Sequence, residues 1–303
     1  MKLITFVYQG KQSYGIVLRN TAILDLGLRL GDRAPDMRTA LTKNLLTEIA
    51  ALASQAQPDI ALSEVTLLPV IPNPAKIFCI GLNYDDHRRE AGRAETGYPT
   101  VFTRFADSQT GHLRPLLRPT VSQQLDYEGE LAVIVGKRGR AIDAAHAFDY
   151  IAGYSCYNDA TVRDWQQHTH QWTPGKNFPA TGSFGPWMVT ADEIEDRSSF
   201  SLVTRLNGQE MQRATTDAFI FPIPELIAYI STFTPLSPGD VICTGTPGRV
   251  GFKRKPAVFL QTGDIVEVEI SHIGTLRNPI IDETAENISH DTEKERKYDI
   301  IHE

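Results

Sequence analysis

The sequence predicts an α+β chain dominated by strands: a β-rich body closed on itself, with a small α/β module at its N-terminus. Three observations carry that expectation. From Lys76 onward the apolar runs are short and separated by turn signals at Asn207-Gly208, Pro238-Gly239-Asp240 and Gly263-Asp264, as many short strands require. Helical spacing is confined there to a few segments, at 83–91, 144–148, 161–168 and 222–232. The first seventy residues instead combine strand-like runs at 3–8, 13–18 and 21–26 with a helical pattern over 37–53, where Leu41, Leu45, Leu46, Ile49 and Leu52 recur at helical spacing.

These signals divide the chain into a module at 1–70, a body at 71–281 and a tail at 282–303. Pro58, Pro69, Pro72 and Pro74 read as a linker between the first two. The tail is charged and aperiodic, and is expected to fray or to dock on a neighbour.

Composition excludes several classes. The 303 residues are 41% hydrophobic and 22% charged, ordinary for a globular protein. A net charge of -7 argues against a nucleic-acid or anionic-membrane surface. No stretch approaches the roughly 20 apolar residues of a membrane span, and the apolar run at 1–8 is too short for a signal peptide. Cys79, Cys156 and Cys243 are widely separated and lie among apolar residues. An odd count without C-x-x-C spacing predicts buried thiols, neither disulfides nor a zinc site, and with them a cytoplasmic protein.

The most informative segment is Asp126-Tyr127-Glu128-Gly129-Glu130, which runs into Leu131-Ala132-Val133-Ile134-Val135. Side chains alternate across a strand, so Glu128 and Glu130 share a face. Two carboxylates where the chain turns apolar are unfavourable unless a cation lies between them. A second apolar run ends at Asp159. Glu128, Glu130 and Asp159 together suit a hard cation, Mg²⁺ or Mn²⁺; solvated glutamates and a helix-capping Asp159 are the plainer alternative.

Four more segments carry candidate chemistry, each beside a structural alternative. In 81–92, Asn83 or Asp85 can cap a short helix that Gly92 ends, with His87 and Glu90 three apart on one face. A carboxylate beside an imidazole makes a general base, although a surface His–Glu contact has the same spacing. In 158–167, Arg163 and Gln166 suit a substrate carboxylate and carbonyl, or surface ion pairs. Lys176 lies in a loop rich in glycine and aromatic residues and either faces an anion or is solvated. The turn Cys243-Thr244-Gly245-Thr246 offers backbone donors to an oxyanion, or is simply a tight turn.

Taken together, GLNYDDHRREAG, DYEGELAVIVGK, DYIAGYSCYNDATVRDWQ, GKNF, GPWMVTADEI, RLNGQEMQ, LSPGDVICTGTPGRVG and LQTGDIVEVEI resemble the fumarylacetoacetate hydrolase family over about two thirds of the chain. The resemblance implies a mixed β-roll or barrel catalytic domain, usually a homodimer, with one divalent cation per subunit on Glu128, Glu130 and Asp159. It places the family's lid pair on His87 and Glu90, and its substrate contacts on Arg163, Gln166, Lys176 and Thr246. Arg104 stands where many members carry lysine, which predicts a substrate of different shape or carboxylate placement.

The activity this implies is hydrolysis of a C–C bond in an acylpyruvate-like diketo acid, such as fumarylpyruvate or maleylpyruvate in aromatic catabolism. His87 would activate water, Lys176 and Arg163 would neutralise substrate charge, and the turn at Thr246 would hold the oxyanion. Decarboxylation, tautomerisation or hydration of a 2-oxo acid such as oxaloacetate uses the same enolate and is the alternative. A catalytically silent metal or oxo-acid binder is the alternative from another class. A structural Ca²⁺ protein is a weaker alternative still, since D-x-D-x-D-G spacing is absent.

Overall fold

Alternation along the Gly129–Val135 strand decides the layering. Leu131, Val133 and Val135 enter one hydrophobic core, and Ala132 and Ile134 enter another. A strand buried on both faces reads as an unbroken apolar run, which is what the sequence has. In the computed structural model, which describes residues 1–284 and 287 apart from 56, 95 and 198, this strand lies within a twelve-stranded sheet. On one side it pairs antiparallel with Ile151–Asp159 and on the other with Val241–Cys243. Beyond these, Gly182–Thr190 continues the sheet in one direction, and Ile77–Gly81 and Thr100–Arg104 continue it in the other.

The first core is closed by a five-stranded sheet, through Leu202, Val268, Ile270 and Leu276, and by Leu226, Ile227 and Ile230 of the Ile223–Phe233 helix. In the hairpin of that sheet, Leu206 faces Gln209 across Asn207 and Gly208, both at positive φ, the backbone that the Asn-Gly pair predicts. The second core is closed by the N-terminal residues, among them Leu3, Tyr14, Leu24, Met37 and Leu41. These residues also extend the large sheet, since Lys2–Tyr8 pairs antiparallel with Gly182–Thr190.

The structure corrects three local expectations. The proline-punctuated stretch is not a free linker: Ile60–Ala61 pairs with Ala22–Asp25, Thr66–Leu67 pairs with Lys2–Tyr8, and Val70 and Ile71 are buried. Its prolines fall between short edge pairings, where no ladder donor is lost. The helix expected over 37–53 is two helices, Met37–Thr42 and Leu46–Gln55. Asn44 at φ 54° stops the first, with Leu45 N–H bonded to Ala40 O and Asn44 N–H to Leu41 O, a Schellman stop that leucine spacing conceals. The helix expected over 161–168 shrinks to Arg163–Gln166, because Thr161–Val162 pairs with Leu125–Asp126. The charged segment from 285 onward, 287 excepted, lies outside the described residues, and the expectation for a tail lies there with it.

All three cysteines are buried free thiols, and Cys79 faces Cys243 across a parallel strand pair. Among the described residues no helix is long and apolar enough to cross a membrane.

Gly153 reports how tightly the central strands pack. A Cβ there would lie 2.3 Å from Val189 O and 2.7 Å from Met188 Cγ. Gly153→Ala is therefore expected to lower stability by about 1–3 kcal/mol, read from urea unfolding monitored by circular dichroism.

Candidate functional site

Strand register assembles the acidic cluster. Asp159 N–H donates to Glu128 O at 2.8 Å, and Glu130 sits opposite Tyr157 in the same antiparallel pair. Glu128, Glu130 and Asp159 each present a carboxylate oxygen within 4.8 Å of the others, and all three are buried. An all-oxygen, all-carboxylate donor set fits a hard divalent cation. Glu130 supplies the physical reason for one: its only described polar partner is Gly245 N–H, at 2.9 Å. Burial, then Asp159 and Glu128, hold its carboxyl well above the usual carboxylate range. Lys176 and the Gly245 N–H offset that only in part.

Three buried cations surround the cluster. Lys176 Nζ lies 2.6 Å from Glu128 Oε2 and 2.5 Å from Asp159 Oδ2. Burial alone would lower its pKa, yet Asp159 and Glu128 hold it above the ordinary lysine value. Gly175 makes this position reachable: a Cβ there would sit 2.4 Å from Gln166 N, so only glycine lets the Thr173–Lys176 turn lie on the Arg163–Gln166 helix. Arg163 donates through Nε to Asp126 Oδ2 at 2.8 Å, places Nη2 2.7 Å from Glu128 Oε1, and stacks on Phe252 at 4.3 Å. Burial raises the Glu128 carboxyl, but Arg163 and Lys176 outweigh it and bring it down to about 2.

Arg104 is the clearest correction. It was expected to meet substrate, but its side chain is fully enclosed behind the cluster. It donates to Asp159 Oδ1 at 2.7 Å, to Ala160 O at 3.0 Å and to Thr181 Oγ1 at 2.7 Å. With Nε also donating to Ser108 Oγ at 3.3 Å, its planar fork holds one carboxylate and three neutral acceptors at once, which an ammonium does less well.

A cleft of about 590 Å³ opens over the cluster and is walled by Phe102, Trp172 and Phe252. His87, Gln166 and Thr246 also reach it. His87 is buried and its Nδ1 lies 3.7 Å from Glu90 Oε2, an ion-pair distance when the ring is protonated and too long for a hydrogen bond. Glu90 itself accepts from Arg249 N–H at 2.9 Å. Burial raises its carboxyl, but His87 and that N–H bring it below the ordinary value.

Asn83 does not cap the His87 helix. It is buried and ties the helix entry to the body through Phe221 and through Thr244 O. The Thr246 turn is also less open than expected. Thr244 and Gly245 spend their N–H groups on Leu131 O and Glu130, and Thr246 Oγ1 accepts from Gln212 Nε2 at 2.9 Å.

One residue went unassigned in the sequence although a signal was there. Asp126 has the same strand parity as Glu128 and Glu130, and it is buried. Its carboxylate accepts from Arg163, from Gly251 N–H at 2.8 Å and from Phe252 N–H at 3.0 Å. It thereby clamps both an inner cation and the loop that carries a pocket wall.

Comparison with known proteins agrees with this arrangement. A family profile described as the fumarylacetoacetate hydrolase C-terminal domain matches residues 76–281. The mitochondrial oxaloacetate tautomerase FAHD2A of Bos taurus is 41% identical over 76% of this chain and 74% of its own length. A Dictyostelium discoideum fumarylacetoacetate hydrolase domain-containing protein 2 homolog is 36% identical over 92% of this chain and 97% of its own. Maleylpyruvate hydrolase from Sphingobium sp. SYK-6, solved with manganese(II) and pyruvate, superposes with a TM-score of 0.78 at 26% identity, over 94% of this chain and all of that one.

The cytoplasmic expectation is overturned, because the bovine, Xenopus laevis and human relatives are mitochondrial proteins. Buried thiols report that their sulfur is shielded from oxidants, and that does not identify a compartment. A profile match over most of the chain and relatives of this identity lead to one conclusion: the chain belongs to the fumarylacetoacetate hydrolase family.

Proposed function

We propose that the protein interconverts the enol and keto forms of a 2-oxo acid of the oxaloacetate type, with a divalent cation on Glu128, Glu130 and Asp159. The observation that carries this is the buried three-carboxylate cluster at the floor of a cleft that His87 also lines. Likeness to oxaloacetate tautomerases at 40–41% identity favours tautomerisation over the hydrolysis expected from the sequence. Glu128, Glu130 and Asp159 would hold the cation, which would supply Lewis-acid polarisation of the 2-oxo carbonyl.

The chain's own residues supply the rest. In ketonisation His87 accepts the enol hydroxyl proton and delivers a proton to C3, and in enolisation it does the reverse, with Glu90 beside its Nδ1 to orient the ring and leave the other ring nitrogen for substrate. Phe102, Trp172 and Phe252 restrict water around the enol. No nucleophilic water is needed. Hydrolysis would also call on Lys176, Arg163 and the Gly245 N–H to bind substrate charge, and all three already hold carboxylates. Cleavage of an acylpyruvate stays as a second reading on the likeness to maleylpyruvate hydrolase.

Stopped-flow loss of enol absorbance from oxaloacetate, beside steady-state loss of acetylpyruvate and maleylpyruvate, tests the choice. Mg²⁺-dependent, EDTA-sensitive ketonisation with acylpyruvates untouched is the expected result. Acylpyruvate cleavage without ketonisation would replace the proposal with the second reading. His87→Asn should keep the cation and lower kcat by roughly 10²–10⁴.

The raised Glu130 carboxyl predicts that cation uptake displaces a proton. Mg²⁺ affinity should therefore rise with pH, and titration calorimetry in buffers of different ionisation enthalpy should report proton release. An uptake heat independent of buffer would contradict it. Arg104→Met removes the main partner of Asp159 Oδ1. It is expected to weaken Mn²⁺ binding by about 10–100-fold and to lower the melting temperature, both measurable on the apo and loaded protein.

A further inference from the structure

The turn that follows the Val241–Cys243 strand contains a residue in an unfavourable backbone conformation. Arg249 sits at φ 68°, in the left-handed region that a residue other than glycine adopts only where its surroundings hold it there. Its side chain is exposed, so packing does not hold it. Hydrogen bonds do, at both main-chain groups. Its N–H donates to Glu90 Oε2 at 2.9 Å, and its carbonyl accepts from Tyr127 Oη at 3.2 Å and from Arg254 Nε at 3.3 Å.

The two donors brace each other. Arg254 Nε also donates to Tyr127 Oη at 2.9 Å, and Arg254 Nη2 donates to Met211 O at 2.6 Å, in the five-stranded sheet. The Tyr127 ring is fully buried in a core with Leu125, Val162 and Leu260. At the other end of the network, Glu90 Oε2 is shared with the reaction. The oxygen that accepts from Arg249 is the one 3.7 Å from His87 Nδ1. An imidazole that moves a proton between oxygen and C3 must keep one nitrogen turned to substrate, and a misplacement of about 1 Å can lower the rate by roughly 10²-fold.

We infer that Tyr127 and Arg254 are positioning residues for the His87 proton transfer: by holding the Arg249 carbonyl they keep residue 249 left-handed and its N–H aimed at Glu90. The inference rests on the role proposed above for His87 and deepens it. Neither side chain belongs to the cleft wall, so both act through Arg249 and Glu90. Without the two donors residue 249 relaxes toward the right-handed region, its N–H leaves Glu90, and the Glu90 carboxylate is free to turn from the imidazole.

Tyr127→Phe tests this, because it keeps the ring in its core and deletes only the hydroxyl. Ketonisation of enol oxaloacetate by the Mg²⁺-loaded variant should show kcat about tenfold lower and KM within about threefold. Arg254→Met should give the same split from a position outside the strand of carboxylates. Hydrogen exchange at the Arg249 amide, followed without substrate, should be about tenfold faster in both variants. Added to His87→Asn, Tyr127→Phe should lower kcat by less than about twofold more, because a group that acts through His87 then has nothing left to act on. Unchanged kcat in both single variants, unchanged exchange at Arg249, or a full tenfold loss repeated on the His87→Asn background would overturn the inference and leave the role of His87 standing. So would a loss accompanied by weaker Mn²⁺ binding, which would assign Tyr127 to the carboxylate cluster. Wild-type turnover in His87→Asn would remove the role of His87, and this inference with it.

Discussion

Three buried carboxylates share one small volume because two antiparallel strands pair in one register, and the rest of the site follows from that crowding. Glu128, Glu130, Asp159 and the neighbouring Asp126 are all buried, and so are Arg104, Arg163 and Lys176. With all four carboxyls ionised, four negative groups against three positive ones leave one charge unmatched, and Glu130 is the group whose carboxyl is raised by it. An uncompensated buried carboxylate is strongly unfavourable. A divalent cation reverses the balance and leaves the floor of the cleft with net positive charge, which suits an acidic ligand. In this structure each inner cation is paired with a carboxylate of the cluster, and Arg163 and Lys176 also line the cleft.

This changes the meaning of the lysine and arginines that a sequence reading assigns to substrate. Lys176 and Arg163 bring the Glu128 carboxyl far down and keep it ionised as a ligand. Arg104 fixes one oxygen of Asp159 and so leaves the other toward the cluster. All three thereby set the orientation and charge of the groups that would hold the cation.

Much of the site was legible because period-2 alternation is a strong local signal. Glu128 and Glu130 on one face, and Asp159 at the end of a second apolar run, needed no tertiary information. The Asn207-Gly208 hairpin and the strand starts after Pro238-Gly239-Asp240 and Gly263-Asp264 were legible in the same way. The enclosure of Arg104 was not, because its partners Ala160 and Thr181 lie more than fifty residues away. The proline-rich stretch misled for a related reason: proline marks breaks between strands, but it does not say whether the pieces rejoin a sheet. Helix breaks carried by asparagine in the left-handed region, as at Asn44, leave hydrophobic spacing intact and escape a periodicity test.

Asp126 ties the cleft wall at Gly251 and Phe252 by main-chain N–H groups alone. The wall's path is thereby decoupled from the identity of the side chain at 253. The contacts that fix the loop and Arg163 behind it do not involve that side chain. A scaffold arranged this way keeps its reactive floor constant while its outer rim drifts. Relatives can thus share the acidic cluster and differ in the acids they admit.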